Sequence, residues 1–191
     1  MIMNRLFSAD YVLPVSGGPI KNGVVKVGPN DEILGVYASP DDPEIDGPIV
    51  RCEGIIVPGF VNTHCHLELS HLKGKIPKHT GLISFLEQVM STRKASEATI
   101  RKAMEAADEA MYKNGIVAVG DHANSSISAN LKAKSKIHYH TFIEVMGFDA
   151  ALAEQRLNEA VSVREAFEST SLPQNHPFPH KIHLRSPSTA S

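Results

Sequence analysis

Apolar positions in the first 57 residues come in short runs cut by turn formers. Tyr11–Val15 ends at Ser16-Gly17-Gly18-Pro19, and the β-branched run Gly23–Val27 stops at Gly28-Pro29-Asn30-Asp31. Clusters of Gly, Pro, Asn and Asp supply the dihedrals of turns and so end strands. Ile33–Tyr37 follows at hairpin distance, Ser39-Pro40-Asp41-Asp42-Pro43 makes a surface loop, and Ile49–Cys52 reads as a further strand. Four or five short strands are too few to close a barrel. Residues 1–57 are therefore expected to be part of a small β-sandwich or an open sheet.

From Pro58 the period changes. Strand-like runs now alternate with helical stripes, the pattern of βα units and a parallel sheet. Phe60–Thr63 is the first strand, and Leu82–Met90 is a short amphipathic helix. Ser96 is placed to cap a longer helix through Tyr112, whose Ile100, Met104, Ala107 and Met111 share one face. Lys113 suits its last turn and Gly115 its stop. Ile116–Asp121 is an unbroken apolar strand, as expected when both faces are covered. Ala129–Lys136 has room for a helical turn or two, and His138–Val145 is the third strand, ending at Gly147. Asp149 can cap a helix from Ala150 to about Phe167 with Leu152, Leu157, Ala160, Val161 and Phe167 inward. After a Pro-rich loop, Lys181–Leu184 begins a fourth strand and runs into a tail without a large apolar residue. The alternation aside, there are no internal repeats.

Composition excludes more than it assigns. The 191 residues suffice for one good core or one domain and a small second one. Hydrophobic content of 42%, charged content of 21% and a net charge of -2 are those of an ordinary soluble chain, with no nucleic acid or membrane implied as partner. No apolar run reaches the roughly 18 residues of a bilayer span. The N-terminus lacks the plan of a signal peptide, and two cysteines, Cys52 and Cys65, make no disulfide framework. A cytoplasmic location is expected.

The chemistry concentrates in Val57-Pro58-Gly59-Phe60-Val61-Asn62-Thr63-His64-Cys65-His66-Leu67-Glu68-Leu69-Ser70-His71-Leu72. Strand alternation puts His64 and His66 on one face and turns Cys65 to the other, as a small buried hydrophobe. Two imidazoles side by side at a strand end are half of a divalent-metal site. A His-rich loop with satisfied hydrogen bonds is the plainer alternative for such a pair.

The flanking residues bear on that choice. Pro58-Gly59-Phe60-Val61-Asn62 leading into His64-Cys65-His66, then Glu68-Leu69-Ser70-His71-Leu72, resembles the first barrel strand of the amidohydrolase superfamily. The form is nearest its cytosine-deaminase-like and chlorohydrolase-like branch. Val119-Gly120-Asp121 and Thr141–Phe148 extend the likeness over most of residues 5–168. The resemblance implies a (β/α)8 barrel with a β-sandwich, and a divalent metal, Zn or Fe. The family holds that ion with two strand-1 histidines, here His64 and His66, a histidine after each of strands 5 and 6, and an aspartate after strand 8. A divalent ion lowers the pKa of bound water, and a nearby carboxylate takes the proton.

A full barrel needs eight strands and about 250 residues. The expectation for this chain is thus an α/β fold: an incomplete (β/α)8 TIM-type barrel of three to four βα units over 58–191, preceded by the β-sandwich segment. The Pro-His-Ala-Pro-Tyr-like segment of family members has no counterpart at Leu184-Arg185-Ser186-Pro187-Ser188, so no role passes to His183. Residues 181–191 read as an aberrant, out-of-frame or truncated tail.

The function expected is hydrolysis of a carbon–nitrogen bond other than a peptide bond, by deamination of a small heterocycle or purine-like nucleoside. Lacking the later ligands, this chain is expected to be inactive. Two alternatives stand beside it: a non-catalytic fragment or weak metal-binding module, and a binuclear cyclic-amide hydrolase. The latter needs a bridging carboxylated lysine that the sequence does not show.

Glu68 and His71 are the candidates for substrate contact at the rim, or else they hold the rim through backbone hydrogen bonds. Asp121 and His122 end the second strand on that rim; strand neighbourhood allows His122 as a third ligand, although the family does not usually place one there. Glu144 reads as a buried, paired structural carboxylate rather than a catalytic base. His138 and His140 start their strand, away from the catalytic rim, and His176 and His180 are tail residues. Open edges of an incomplete parallel sheet also invite self-association.

Overall fold

A computed structural model describes residues 4–147 and 149–170 and the backbone of 181–185. His176 and His180, the side chain of His183 and the tail after Arg185 lie outside the described residues. The chain divides into two compact units at Pro58–Gly59.

Among the described residues the first unit holds seven strands: β1 (Arg5–Ser8), β2 (Tyr11–Val12), β3 (Ile20–Lys21), β4 (Val24–Val27), β5 (Ile33–Tyr37), β6 (Ile49–Arg51) and β7 (Ile55–Ile56). They form one sheet in the order β5-β4-β1-β6 and another in the order β3-β2-β7. Hydrophobic patterning gives only four or five of these strands. Arg5–Ser8 mixes charge with apolar residues, and Ile20–Lys21 and Ile55–Ile56 are two residues long, too short to show a period. The Tyr11 strand also stops at Val12, not Val15, because Pro14 and a left-handed Val15 (φ 67°) turn the chain early. Among the described residues of this unit, Leu6, Ala9, Val12, Val24 and Val25 are the buried hydrophobic ones.

The second unit is built on a four-stranded parallel sheet, ordered β11-β10-β9-β8, from β8 (Phe60–Cys65), β9 (Ile116–Ala123), β10 (His138–Glu144) and β11 (Lys181–Arg185). Helices α1 (Leu82–Thr92) and α2 (Glu97–Lys113) lie between β8 and β9, α3 (Ala129–Lys132) between β9 and β10, and α4 (Ala153–Glu168) between β10 and β11. A 3-10 turn, Leu67–Leu72, follows β8 directly.

Helix α2 forms as its sequence dictates. The Ser96 side chain accepts the Thr99 N–H, and Gly115, at φ +78°, takes the left-handed conformation that ends the segment. Its stripe of Ile100, Met104, Ala107 and Met111 closes the core around Leu67, Val119, Ile137 and Tyr139. Full burial of a side chain such as Met104 (1% exposed) contributes roughly 1.5–3 kcal/mol.

Two further expectations are corrected, on β9 and on α4. Strand β9 runs on through His122 and Ala123, since polar Asp121 and His122 are buried as deeply as its apolar residues, while Val117 near its start is 47% exposed and so not covered. Leu152 and Leu157 face solvent, because α4 packs through the narrower strip Ala160, Val163 and Phe167 onto Ala123, Ala129 and Ile143. Helix α1 forms, but none of its residues is buried.

Candidate functional site

β8 delivers His64 and His66 to the C-terminal end of the parallel sheet, and it does so through an irregularity. Asn62 pairs with Val119 and Cys65 with Asp121, so three steps along β8 match two along β9 and Thr63 and His64 together face Gly120. Such a bulge bends a strand and re-aims its side chains. The two imidazole rings end with centroids 5.1 Å apart, and the ring of His122 from β9 completes a cluster at 4.5 Å from His64 and 5.4 Å from His66. Nδ1 of His66 is buried without a hydrogen-bond partner among the described residues. An orphaned imidazole nitrogen beside a second imidazole is the donor chemistry of a divalent-metal site. Among the described residues, no three His, Cys, Asp or Glu side chains are arranged to hold an ion, so His122 joins the cluster without completing a ligand set.

The rim beneath the histidines is held by carboxylates. Glu68 is 5% exposed and accepts hydrogen bonds from the backbone N–H of Asn124 (3.2 Å) and Ser125 (3.1 Å) and from the Ser125 hydroxyl (2.6 Å), with Arg93 at 3.7 Å. The ring nitrogens of buried His71 lie 3.1 and 3.0 Å from the carbonyl oxygens of Glu68 and Arg93. Both residues thus engage backbone, Glu68 in the loop after β9 and His71 in the turn after β8 and at the end of α1. Glu144 accepts from Asn124 Nδ2 at 3.3 Å and stands 4.0 Å from His122 Nδ1, paired as expected but half-buried rather than buried, since it ends its strand at the rim.

Asp121, wholly buried, accepts the Leu67 N–H at 2.7 Å and meets the Lys132 ammonium at 2.5 Å. Lys132 donates to Thr141 Oγ1 at 2.9 Å and lies over the rings of Tyr139 and Phe167. Burial pulls the Lys132 ammonium below its ordinary pKa while Asp121 pushes the other way. Burial, helped by Asp121, holds the Cys65 thiol protonated, its pKa pushed up to about 12. Cys65 packs against the core that Leu67 and Met104 share. Sequence reasoning places Asp121 on the rim but misses Lys132, which stands in Ala129-Asn130-Leu131-Lys132-Ala133 with no pattern to distinguish it from a surface lysine.

With this geometry in hand, comparison with known proteins assigns the class. Residues 55–175 match the amidohydrolase family, and the chain belongs to it. Solved structures share the fold. Helicobacter pylori aminofutalosine deaminase in complex with methylthio-coformycin superposes with a TM-score of 0.71 at 19% identity, over 95% of this chain and 43% of the deaminase. Guanine deaminase from C. acetobutylicum with bound guanine gives 0.69 at 17% identity, over 96% and 46%. An atrazine chlorohydrolase from Arthrobacter aurescens complexed with zinc gives 0.62 at 18%, over 95% and 46%. The chain therefore spans less than half the length of these structures. No curated protein sequence matches it. Among the described residues no helix is long and apolar enough to cross a membrane.

Proposed function

We propose that this chain carries the opening part of a metal-dependent hydrolase of carbon–nitrogen bonds, with His64 and His66 as ligands to Zn or Fe and a small aminated heterocycle or purine-like nucleoside as substrate. The observation that carries the reading is the imidazole pair at the sheet's C-terminal rim, with His66 Nδ1 buried and unpartnered, in a chain of the amidohydrolase family. Parallel strands alternating with helices support the first βα units of a barrel, whose active sites lie at that rim. A divalent ion held there would supply Lewis acidity and a water acidified towards neutral pH. The protein's own contribution is orientation: the bulge aims His64, and the turn after β8 sets His66. Glu68 and His71 serve the substrate side by holding the rim loop that any substrate at the histidines must pass.

Catalytic zinc sites use three or more protein ligands. With the two found among the described residues, this chain is expected to bind metal weakly and to turn over no measurable substrate. That supports the second reading, a weak metal-binding module. Nothing favours a binuclear site: Lys132, the buried lysine among the described residues, is engaged by Asp121 and Thr141.

Guanine, adenosine and cytosine, added to zinc-loaded protein, are expected to shift the His64 and His66 imidazole resonances, whereas cyclic amides that carry no exocyclic amino group do not. Shifts with those cyclic amides alone would overturn the deaminase reading, and ammonia release from any of these would overturn the inactivity of the isolated chain.

A further inference from the structure

We propose that Asp121 is a positioning residue for the histidine pair, fixing the Leu67 amide and with it the backbone on which His66 sits, while Lys132 holds the other carboxylate oxygen in place. The functional consequence rests on the metal reading above; the clasp itself does not.

His66 is the residue before the 3-10 turn Leu67–Leu72, at φ -124° and ψ 78°, and its own side chain makes no capping bond. The first N–H groups of a helical turn have no partner within the turn and are ordinarily met by a side chain at the cap. Here the partner comes from the neighbouring strand: Oδ1 of Asp121 takes the Leu67 N–H at 2.7 Å, with both residues at 0% exposure. One residue earlier, Gly120 lies so close to Thr63 that a Cβ there would stand 2.8 Å from the Thr63 carbonyl oxygen. Gly120 thus admits Thr63, and Asp121 fastens Leu67. His64 and His66 fall between these two points: His64 on backbone that the bulge takes off the regular ladder, His66 just past the last residue of β8.

Lys132 gives the clasp its direction. Its ammonium reaches Oδ2 of Asp121, Oγ1 of Thr141 and the faces of Tyr139 and Phe167, all within the core of the unit. A buried ion pair is weak evidence for stability, since apolar residues of similar volume often serve as well. Its distinctive product is geometric: one carboxylate oxygen held where the amide next to His66 must come. Groups behind a ligand that fix its orientation change metal affinity by about 10- to 100-fold.

The test compares two uncharged double variants of the whole chain. Asp121→Asn with Lys132→Met keeps the acceptor for Leu67, and Asp121→Leu with Lys132→Met removes it, while neither leaves a buried charge unpaired. Amide hydrogen exchange at Leu67, measured without metal, is expected to stay within about 3-fold of wild type in the Asn variant and to accelerate by at least about 10-fold in the Leu variant. Zn²⁺ affinity is expected to follow the same order, falling at least about 10-fold only in the Leu variant. Equal exchange in the two overturns the clasp. Unequal exchange with equal zinc affinity overturns its positioning role. If wild type binds no zinc through His64 and His66, the metal reading fails instead, and Leu67 exchange with the His66 ring-proton shifts, both read without metal, still decides whether Asp121 positions His66.

Discussion

Helices α1 and α2 follow the same strand and carry the same kind of apolar stripe, yet they meet opposite fates. In α2 the stripe packs onto β9 and the turn after β8, leaving Met104 at 1% exposure. In α1, Leu82, Ile83, Phe85, Leu86 and Met90 are 45–76% exposed. The periodicity of a helix states that it needs an apolar surface, not where that surface is. For α2 the surface lies in the same βα unit; for α1 the described residues leave most of the stripe uncovered, with only Val89 of its apolar residues up to Met90 half-buried. The unit is thus closed around α2, α3 and the rim carboxylates and open along α1 and at the start of β8, where Phe60 and Val61 are also exposed.

Substitutions can break that contrast. The largest effect is expected at the closed end from Lys132→Ala, which strands the buried Asp121 carboxylate and should cost about 3–5 kcal/mol in urea unfolding. A loss below about 1 kcal/mol would mean that the pair is not buried in solution. Met104→Ala is expected to cost about 2–5 kcal/mol, as large-to-small changes in closed cores do.

An intermediate effect comes from Tyr139, whose hydroxyl donates to Asp108 at 2.6 Å and whose pKa is raised by burial first and by that bond second. The phenol stays protonated in the fold after the unfolded chain begins to ionise near the ordinary value of 10.0. Its contribution is fully present below pH 10 and is lost as the pH rises beyond it, by about 1 kcal/mol over the first unit. Urea midpoints of wild type should therefore decline between pH 10 and 11, and Tyr139→Phe should flatten that decline; parallel curves would refute the assignment. Ser96→Ala removes the α2 cap and should cost about 1 kcal/mol. Smallest of all, Leu86→Ala in α1 should change stability by less than about 0.5 kcal/mol. A cost matching that of Met104→Ala would show that α1 is packed after all.

The parts legible in the sequence are those where one local pattern decides one structure. Ser96, the three-and-four spacing from Ile100 to Met111, and Gly115 together specify α2. The run Ile116–Asp121 specifies most of β9. His64 and His66 could be put side by side from strand alternation, and they are adjacent, although the chain reaches that adjacency through a bulge that alternation does not contain. What was illegible depends on partners distant in sequence. Asp121 meets Leu67 across 54 positions, and Lys132 earns its burial only from the strand and helix that close over it. Leu152 and Leu157 fit an inward stripe on paper, but the strip that the sheet admits is set by Ala160, Val163 and Phe167.

One measurement bears most directly on the central claim that His64 and His66 are metal ligands: a Zn²⁺ titration followed by the imidazole resonances of all ten histidines. The expected result is that His64 and His66 shift together as a single equivalent binds, and that His64→Ala abolishes the shift at His66. Zinc that perturbs other histidines first, or a His66 response indifferent to the loss of His64, would contradict it.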